Sequence, residues 1–276
     1  MQEMSISSWL KDAAKQLKNV GIPSARLDAE LILSHTLRKP RTYLHAHLDE
    51  QLDPRRKDIA DARLSLRTER TPLAYITGHK EFYGRQFSVS PSVLIPRPES
   101  EAMISWLLEL TASEIETKRL VDIGAGSGCL GVTAKLERAL LDVTLIDIDQ
   151  KALTVAQKNA DTLGASVHVR RDNLLDGQGF QIDYVLANLP YVDPNWDDTS
   201  PELRHEPTHA LYAEEHGLKL IRQLIPQLAR WLSPHGVALL ESDPTQHQSI
   251  ATFAREHGMI SLEPRDYIIG LKKNTA

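Results

Sequence analysis

From residue 119 to its C-terminal end the chain alternates strand-like and helix-like runs, and no other feature restricts its possible folds as much. Arg119–Ala125 reads as a strand, and the stretch from Gly126 opens as a helix. Asp142–Asp149 reads as a strand and Gln150–Gly164 as a helix. Three further strands lie in Ser166–Asp172, Ile182–Pro190 and Gly236–Asp243, with a helix in Leu218–Leu232 before the last. His247–Gly258 is helical, and Met259–Arg265 with Tyr267–Lys273 is predicted to close a terminal hairpin. Strands alternating with helices imply a mostly parallel sheet covered on both faces. Such sheets bind ligands beyond the carboxyl ends of their strands.

The preceding sequence follows another period. Ile6, Trp9, Leu10, Ala13, Leu17 and Val20 recur at helical spacing, with Gly21 and Pro23 as the stop. A second helix is predicted from about Ser24 and ends by Pro40. Shorter ones are predicted at Leu44–Leu48 and Ile59–Leu66. Residues 71–98 are rich in proline, glycine and β-formers and read as a hairpin or linker. Glu99–Thr117 reads as helix. The expected organisation is a helical bundle over 1–70, a hairpin linker over 71–98 and an α/β domain over 99–276.

Composition excludes several classes. Lys plus Arg total 32 against 37 Asp plus Glu, for a formal charge of −5. That balance argues against a protein built to coat a phosphate backbone. The single cysteine, Cys129, excludes an intrachain disulfide framework and a multi-cysteine zinc site. The histidines fall at no convincing metal-ligand spacing. No run of about 18 apolar residues exists to span a membrane. The first residues lack a basic head and an unbroken apolar core, so the expected location is the cytoplasm.

Two motifs carry chemistry. Asp122-Ile123-Gly124-Ala125-Gly126-Ser127-Gly128 joins a predicted strand to a helix. Glycines there permit a tight turn and close backbone approach to a ligand, and the helix start offers free N–H groups to an anionic group. Asp147 closes the next strand, where a carboxylate meets a ribose diol. Asp149 is better placed as the cap of the following helix. A G-x-G-x-x-G dinucleotide turn would need glycine at Cys129, which weakens a dehydrogenase reading. The second motif, Asn188-Leu189-Pro190-Tyr191, ends the fourth predicted strand. Read alone it is equally an ordinary turn with a solvent-facing Asn.

The glycine turn resembles motif I of class I S-adenosylmethionine-dependent methyltransferases, which implies a Rossmann-like seven-stranded domain. By that resemblance the turn (Asp122, Gly124, Ala125, Gly126, Gly128) contacts the cofactor. Asp147 with its neighbour Ile148 takes the ribose, and Asp172 and Asn173 lie beside the adenine. Asn188–Tyr191 resembles the (N/D/S)-P-P-(Y/F/W) motif of methyltransferases that act on planar nitrogens, with Leu189 in place of a proline. An amide or exocyclic amine delocalises its lone pair and is a poor nucleophile. The Asn188 side-chain carbonyl and the Leu189 backbone carbonyl accept its two N–H groups, Pro190 stiffens the turn, and Tyr191 offers a flat face.

Residues 24–37, the PLAYITGHKEFYG and VLIPRPESE segments within 72–101, and RHEPTHAL at 204–211 resemble the peptide chain release factor glutamine methyltransferase family (HemK/PrmC). The resemblance spans nearly the whole chain. It implies methyl transfer to the amide of the glutamine in the Gly-Gly-Gln motif of release factors. It places Pro96, Arg97 and Ser100 at the pocket. Glu206 and Arg204 are expected to brace the catalytic loop, with Glu206 also at the substrate. Phe82 and Tyr83 are expected near the domain junction or in a hairpin core. A monomer without membrane attachment or stable nucleic-acid binding is expected. The alternatives are a nucleic-acid adenine methyltransferase, which also carries NLPY, and a non-catalytic cofactor-binding module.

Overall fold

The structure is a computed structural model that describes residues 4–196 and 200–274. The chain divides into two compact units, one of Met1–Gly78 with Ser200–His205 and one of His79–Thr199 with Glu206–Ala276.

The first unit is helical: α1 (Ile6–Asn19), α2 (Ala25–Leu37), α3 (Arg41–Ala46), α4 (Pro54–Thr68) and α5 (Leu73–Thr77). The Ser5 hydroxyl caps α1 by accepting the Ser8 N–H, and the Asp53 carboxylate caps α4, which has Pro54 in its first turn. Of the predicted stripe, Ile6, Trp9, Leu10, Ala13 and Leu17 are buried, against Ala29, Ile32 and Leu33 of α2 and Ala60 and Leu64 of α4, while Val20, the residue that ends α1, is exposed. Each large apolar side chain so buried contributes about 1.5–3 kcal/mol. Two buried charges are paired: Arg67 Nε donates to Asp28 Oδ2 at 2.7 Å. Arg67 also reaches Glu202 Oε1 at 3.2 Å, and Arg204 Nη2 donates to the Glu69 carbonyl at 2.8 Å. The 200–205 segment thus belongs to the helical unit, and Arg204 holds Glu69 of α4's end rather than the catalytic loop as expected.

The second unit opens with an antiparallel hairpin, β1 (His79–Phe82) and β2 (Arg85–Ser88). Its two-residue turn has Tyr83 at φ 50° and Gly84 at φ 74°, the left-handed pair that matches strand twist. Phe82 and Phe87 are buried and meet edge to face at 6.1 Å. Helix α6 (Glu101–Leu110) follows. It is shorter than the predicted Glu99–Thr117: Thr111 Oγ1 donates back to the Leu107 carbonyl, and beyond it Ile115 is 87% exposed, so no apolar face remains to hold a helix.

The remaining elements are β3 (Lys118–Ile123), α7 (Cys129–Glu137), β4 (Leu141–Asp147), α8 (Gln150–Leu163), β5 (His168–Arg171), β6 (Ile182–Ala187), α9 (Lys219–Trp231), β7 (Leu232–Glu241), α10 (His247–Glu256), β8 (Met259–Ser261) and β9 (Ile268–Lys273). They form a seven-stranded sheet of order β5-β4-β3-β6-β7-β9-β8, parallel except that β9 runs antiparallel to both neighbours. One core packs α6, α7 and α8 on one face, and the other packs α9 and α10 on the opposite face. From β3 the chain winds outward through β4 and β5, then crosses back to β6. The order therefore reverses between β3 and β6, and a crevice opens at their carboxyl ends. Among the described residues no helix is long and apolar enough to cross a membrane.

Candidate active site

The crevice is a solvent-open cleft with about 1020 Å³ of empty space, the open mouth included. Its floor is the turn after β3. Gly124, Gly126 and Gly128 have φ of 70°, 54° and 78°, a region that side chains with Cβ rarely adopt. At Gly124 close packing also matters: a Cβ would lie 3.0 Å from Leu189 Cδ2. The Gly124 and Ala125 N–H groups donate to the Ile146 carbonyl at 2.8 and 2.9 Å, which ties the turn to β4.

Asp147 ends β4 and orders the rim. Its Oδ2 accepts the Gly126 N–H and its Oδ1 the Asp149 N–H, both at 2.9 Å. Asp149 caps α8 as predicted, accepting the Lys151 N–H at 2.8 Å. Asp172 accepts the Asn173 and Gly177 N–H groups at 2.9 and 3.0 Å. Asp147, Ile148, Asp172 and Asn173 all line the cleft.

On the opposite side, Asn188 ends the run after β6 and lines the cleft with Leu189 and Pro190. Asn188 Nδ2 donates to Ser100 Oγ at 3.1 Å. Leu189, which stands where the resemblance implies proline, is buried and packs its tip over Gly124. Pro96 and Arg97 also face the cleft. Arg97 is held by Glu206: Arg97 Nη2 donates to Glu206 Oε1 at 2.6 Å while the Ile95 N–H donates to Oε2 at 3.0 Å.

Four predicted site residues do not line the cleft: Asp122, Gly128, Tyr191 and Glu206. Asp122 alternates away from it on β3. Its side chain is buried, and Oδ2 accepts the Gly131 N–H of α7 at 2.8 Å. Gly128 is the residue before α7 and packs against Ala156 of α8, whose Cβ a side chain would approach to 3.1 Å. Tyr191 directs its hydroxyl to Glu241 Oε1 at 3.2 Å. Glu206 meets the cleft through Arg97.

Glu241 was not read as a site residue. It ends β7, is 2% exposed, and sits beside Ser100, Tyr191 and Asn188. The one available signal was an acid closing the apolar run Val237-Ala-Leu-Leu240.

Burial dominates the electrostatics. It pushes the Asp122 carboxyl up to about 7, against the Gly131 hydrogen bond and aided by the nearby Asp147 charge. Burial also raises Glu241, against the pull of the Ser100, Tyr191 and Asn188 side chains. Tyr191 is raised by burial and then by Glu241, so it stays a phenol. Desolvation first, and then Asp122, push the Cys129 thiol up to about 12, which leaves no thiolate nucleophile there. Among the described residues no cluster of His, Cys, Asp and Glu could hold a metal ion. The cleft offers the Asn188 amide, backbone dipoles and the Asp147 and Asp172 carboxylates.

Comparison with known proteins decides the family. Residues 8–78 match the PrmC N-terminal domain family and residues 100–206 the methyltransferase small domain family. A release factor glutamine methyltransferase of Koribacter versatilis is 38% identical over 86% of both chains. The chain belongs to the release factor glutamine methyltransferase family. A member from Coxiella burnetii is 33% identical over 98% of this chain and 97% of its own. The fold is that of a methyltransferase from Pyrococcus furiosus (TM-score 0.51, 16% identity, 76% of this chain and 95% of that one). It is also that of the 16S rRNA N2 G1207 methyltransferase of Thermus thermophilus, solved with AdoMet and guanosine (TM-score 0.52, 15% identity, 71% of this chain and 49% of that one). These likenesses place the Rossmann-like methyltransferase fold of this family member in known company.

Proposed function

We propose that the chain transfers a methyl group from S-adenosylmethionine to the side-chain amide nitrogen of the glutamine in the Gly-Gly-Gln motif of peptide chain release factors. The observation that carries this is the convergence of the glycine turn, Asp147 and Asn188 on one cleft in a chain of this family.

The residues fit the cofactor. The turn has no Cβ at Gly124 or Gly126 to keep a ligand off its backbone. Asp147 has spare lone pairs beyond its two backbone bonds and suits a ribose diol. Gly124, Ala125, Gly126, Asp147, Ile148, Asp172, Asn173, Pro96 and Arg97 hold the cofactor, while Asp122 and Gly128 set the turn from behind. When bound, S-adenosylmethionine supplies an electrophilic methyl on a sulfonium.

The chain's own groups orient the acceptor. Asn188 Oδ1 and the Leu189 carbonyl accept the two amide N–H groups and stabilise the positive charge that grows on the nitrogen. Pro190 fixes the turn, Tyr191 anchors the segment from behind through Glu241, and Glu206 holds Arg97 at the site. No base is needed at the start, because the proton leaves after transfer. Orientation and proximity supply most of the acceleration.

The helical domain over 1–70 recognises the release factor, residues 71–98 join it, and residues 99–276 do the chemistry. The enzyme works in the cytoplasm as a monomer, with no stable nucleic-acid contact.

The test is mass spectrometry of a release factor incubated with the enzyme and S-adenosylmethionine. One added methyl on the Gly-Gly-Gln peptide, lost in Asn188→Ala while calorimetric cofactor affinity persists, is the expected result. Label in a ribosomal RNA transcript and none in the release factor would favour an RNA adenine substrate instead.

A further inference from the structure

A planar side-chain amide has two ends of similar shape and opposite hydrogen-bonding character. For Asn188 the choice decides function. The carbonyl end accepts an N–H from a substrate amide, and the NH₂ end would face that substrate nitrogen donor to donor. Something must fix the choice, and Asn188 itself cannot.

Asn188 Nδ2 donates to Ser100 Oγ at 3.1 Å. Ser100 lies in the 3-10 turn Pro98–Ser100 before α6 and is 2% exposed, so solvent does not compete for its hydroxyl. A serine hydroxyl has a single proton, and it too can point either way. If it donated to Asn188, the amide would have to turn over. Glu241 settles this. Tyr191 donates to its Oε1 at 3.2 Å, and Oε2 is buried with no partner of its own within hydrogen-bond geometry. The Ser100 and Asn188 side chains also lie against that carboxylate. The Ser100, Tyr191 and Asn188 side chains around Glu241 favour its charged form against burial; as a carboxylate it only accepts, so it draws the Ser100 proton toward itself and leaves Ser100 Oγ lone pairs for Asn188.

We infer that Glu241 and Ser100 form a one-way hydrogen-bond relay, Ser100 to Glu241 and Asn188 to Ser100, that holds the Asn188 carbonyl outward as the acceptor for the substrate amide. Both are positioning residues that act through Asn188. The inference rests on the glutamine-methylating reading of the cleft. The relay needs a hydroxyl at position 100, so threonine is expected to serve there in place of serine.

The experiment compares the full chain with Ser100→Ala, Ser100→Thr, Glu241→Gln and the double variant S100A/E241Q. Turnover is read on a release factor, cofactor affinity by calorimetry, and the Asn188 side-chain NH₂ by ¹⁵N NMR, assigned by its loss in Asn188→Ala. Ser100→Ala is expected to lower kcat about 10²-fold, the cost of a misoriented catalytic group. KM and cofactor affinity stay unchanged, and Ser100→Thr recovers most of the rate. The double variant is no slower than the slower single one, because both break a single chain of bonds. In the wild type the Asn188 NH₂ protons exchange slowly, and in Ser100→Ala they exchange freely.

A Ser100→Ala enzyme with wild-type kcat overturns the relay, as does a Ser100→Thr enzyme as slow as Ser100→Ala or a double variant whose losses multiply. If Glu241→Gln does not fold, the Ala and Thr variants decide alone. If the wild type methylates no release factor, the functional reading fails separately. The NMR arm then still decides the relay, and free exchange of the wild-type Asn188 NH₂ would overturn it.

Discussion

Asp122 and Gly131 are built around each other: Asp122 Oδ2 accepts the Gly131 N–H at 2.8 Å, and a Cβ on Gly131 would lie 3.0 Å from that same oxygen. It would also lie 2.3 Å from Leu145 Cδ2. Gly131→Ala must therefore push a flexible leucine tip aside and strain the hydrogen bond. Overpacking of this kind costs about 1–3 kcal/mol, to be read by chemical denaturation. An unchanged midpoint would mean β3 and α7 are less tightly joined than the distances indicate.

The same aspartate makes stability depend on pH. Its folded value of about 7 lies above the ordinary 3.8, so the folded state keeps a proton that the unfolded state releases. The stability this contributes is fully present below about pH 4 and is lost as pH rises to about 7, then stays constant. Asp122→Asn keeps an acceptor for Gly131 and cannot ionise. Its melting temperature relative to wild type should rise across that window and level off above it. Parallel profiles for the two proteins would show that Asp122 does not titrate in the fold.

At Gly124 the left-handed backbone and the contact with Leu189 act together. Gly124→Ala should cost about 1–2 kcal/mol for the backbone conformation alone. It should also move Leu189, whose carbonyl is an acceptor in the proposed chemistry. Calorimetry should show weaker cofactor binding and kinetics a lower kcat. Loss of only one of the two would separate the turn from the Asn188 segment.

In the helical unit, Arg67→Met leaves Asp28 buried without its cation. Breaking a buried pair from one side costs about 3–5 kcal/mol. Asp28→Asn in the same background should recover part of the loss, and denaturation of the pair against the singles measures it. A full-strength single variant would show that water reaches Asp28.

How much of this was legible depended on distance along the chain. Local signals read well: the Ile6–Leu17 stripe, the Asp149 cap, the glycine turn and the terminal hairpin each follow from residues within a turn or two of one another. The D-x-G-x-G-x-G spacing named Asp122 a cofactor contact because linear spacing does not say which face of β3 a side chain takes. Alternation along the strand sends it into α7 instead. Tyr191 was expected to face the site, and its partner Glu241 lies 50 positions away. Ser100 and Asn188 are 88 positions apart, and no periodicity announces such a meeting. The helix read over 99–117 overran because charged residues after Leu110 keep a helical composition without supplying a buried face.

Three peptide junctions join the two units, at 78–79, 199–200 and 205–206. The segment 200–205 belongs to the first unit but to the downstream part of the chain. A protease that nicks the chain after Gly78 leaves the first fragment clasped to Glu202 and Arg204 by Arg67 and the Glu69 carbonyl, so it would run as two bands on a denaturing gel and as one species in native sizing.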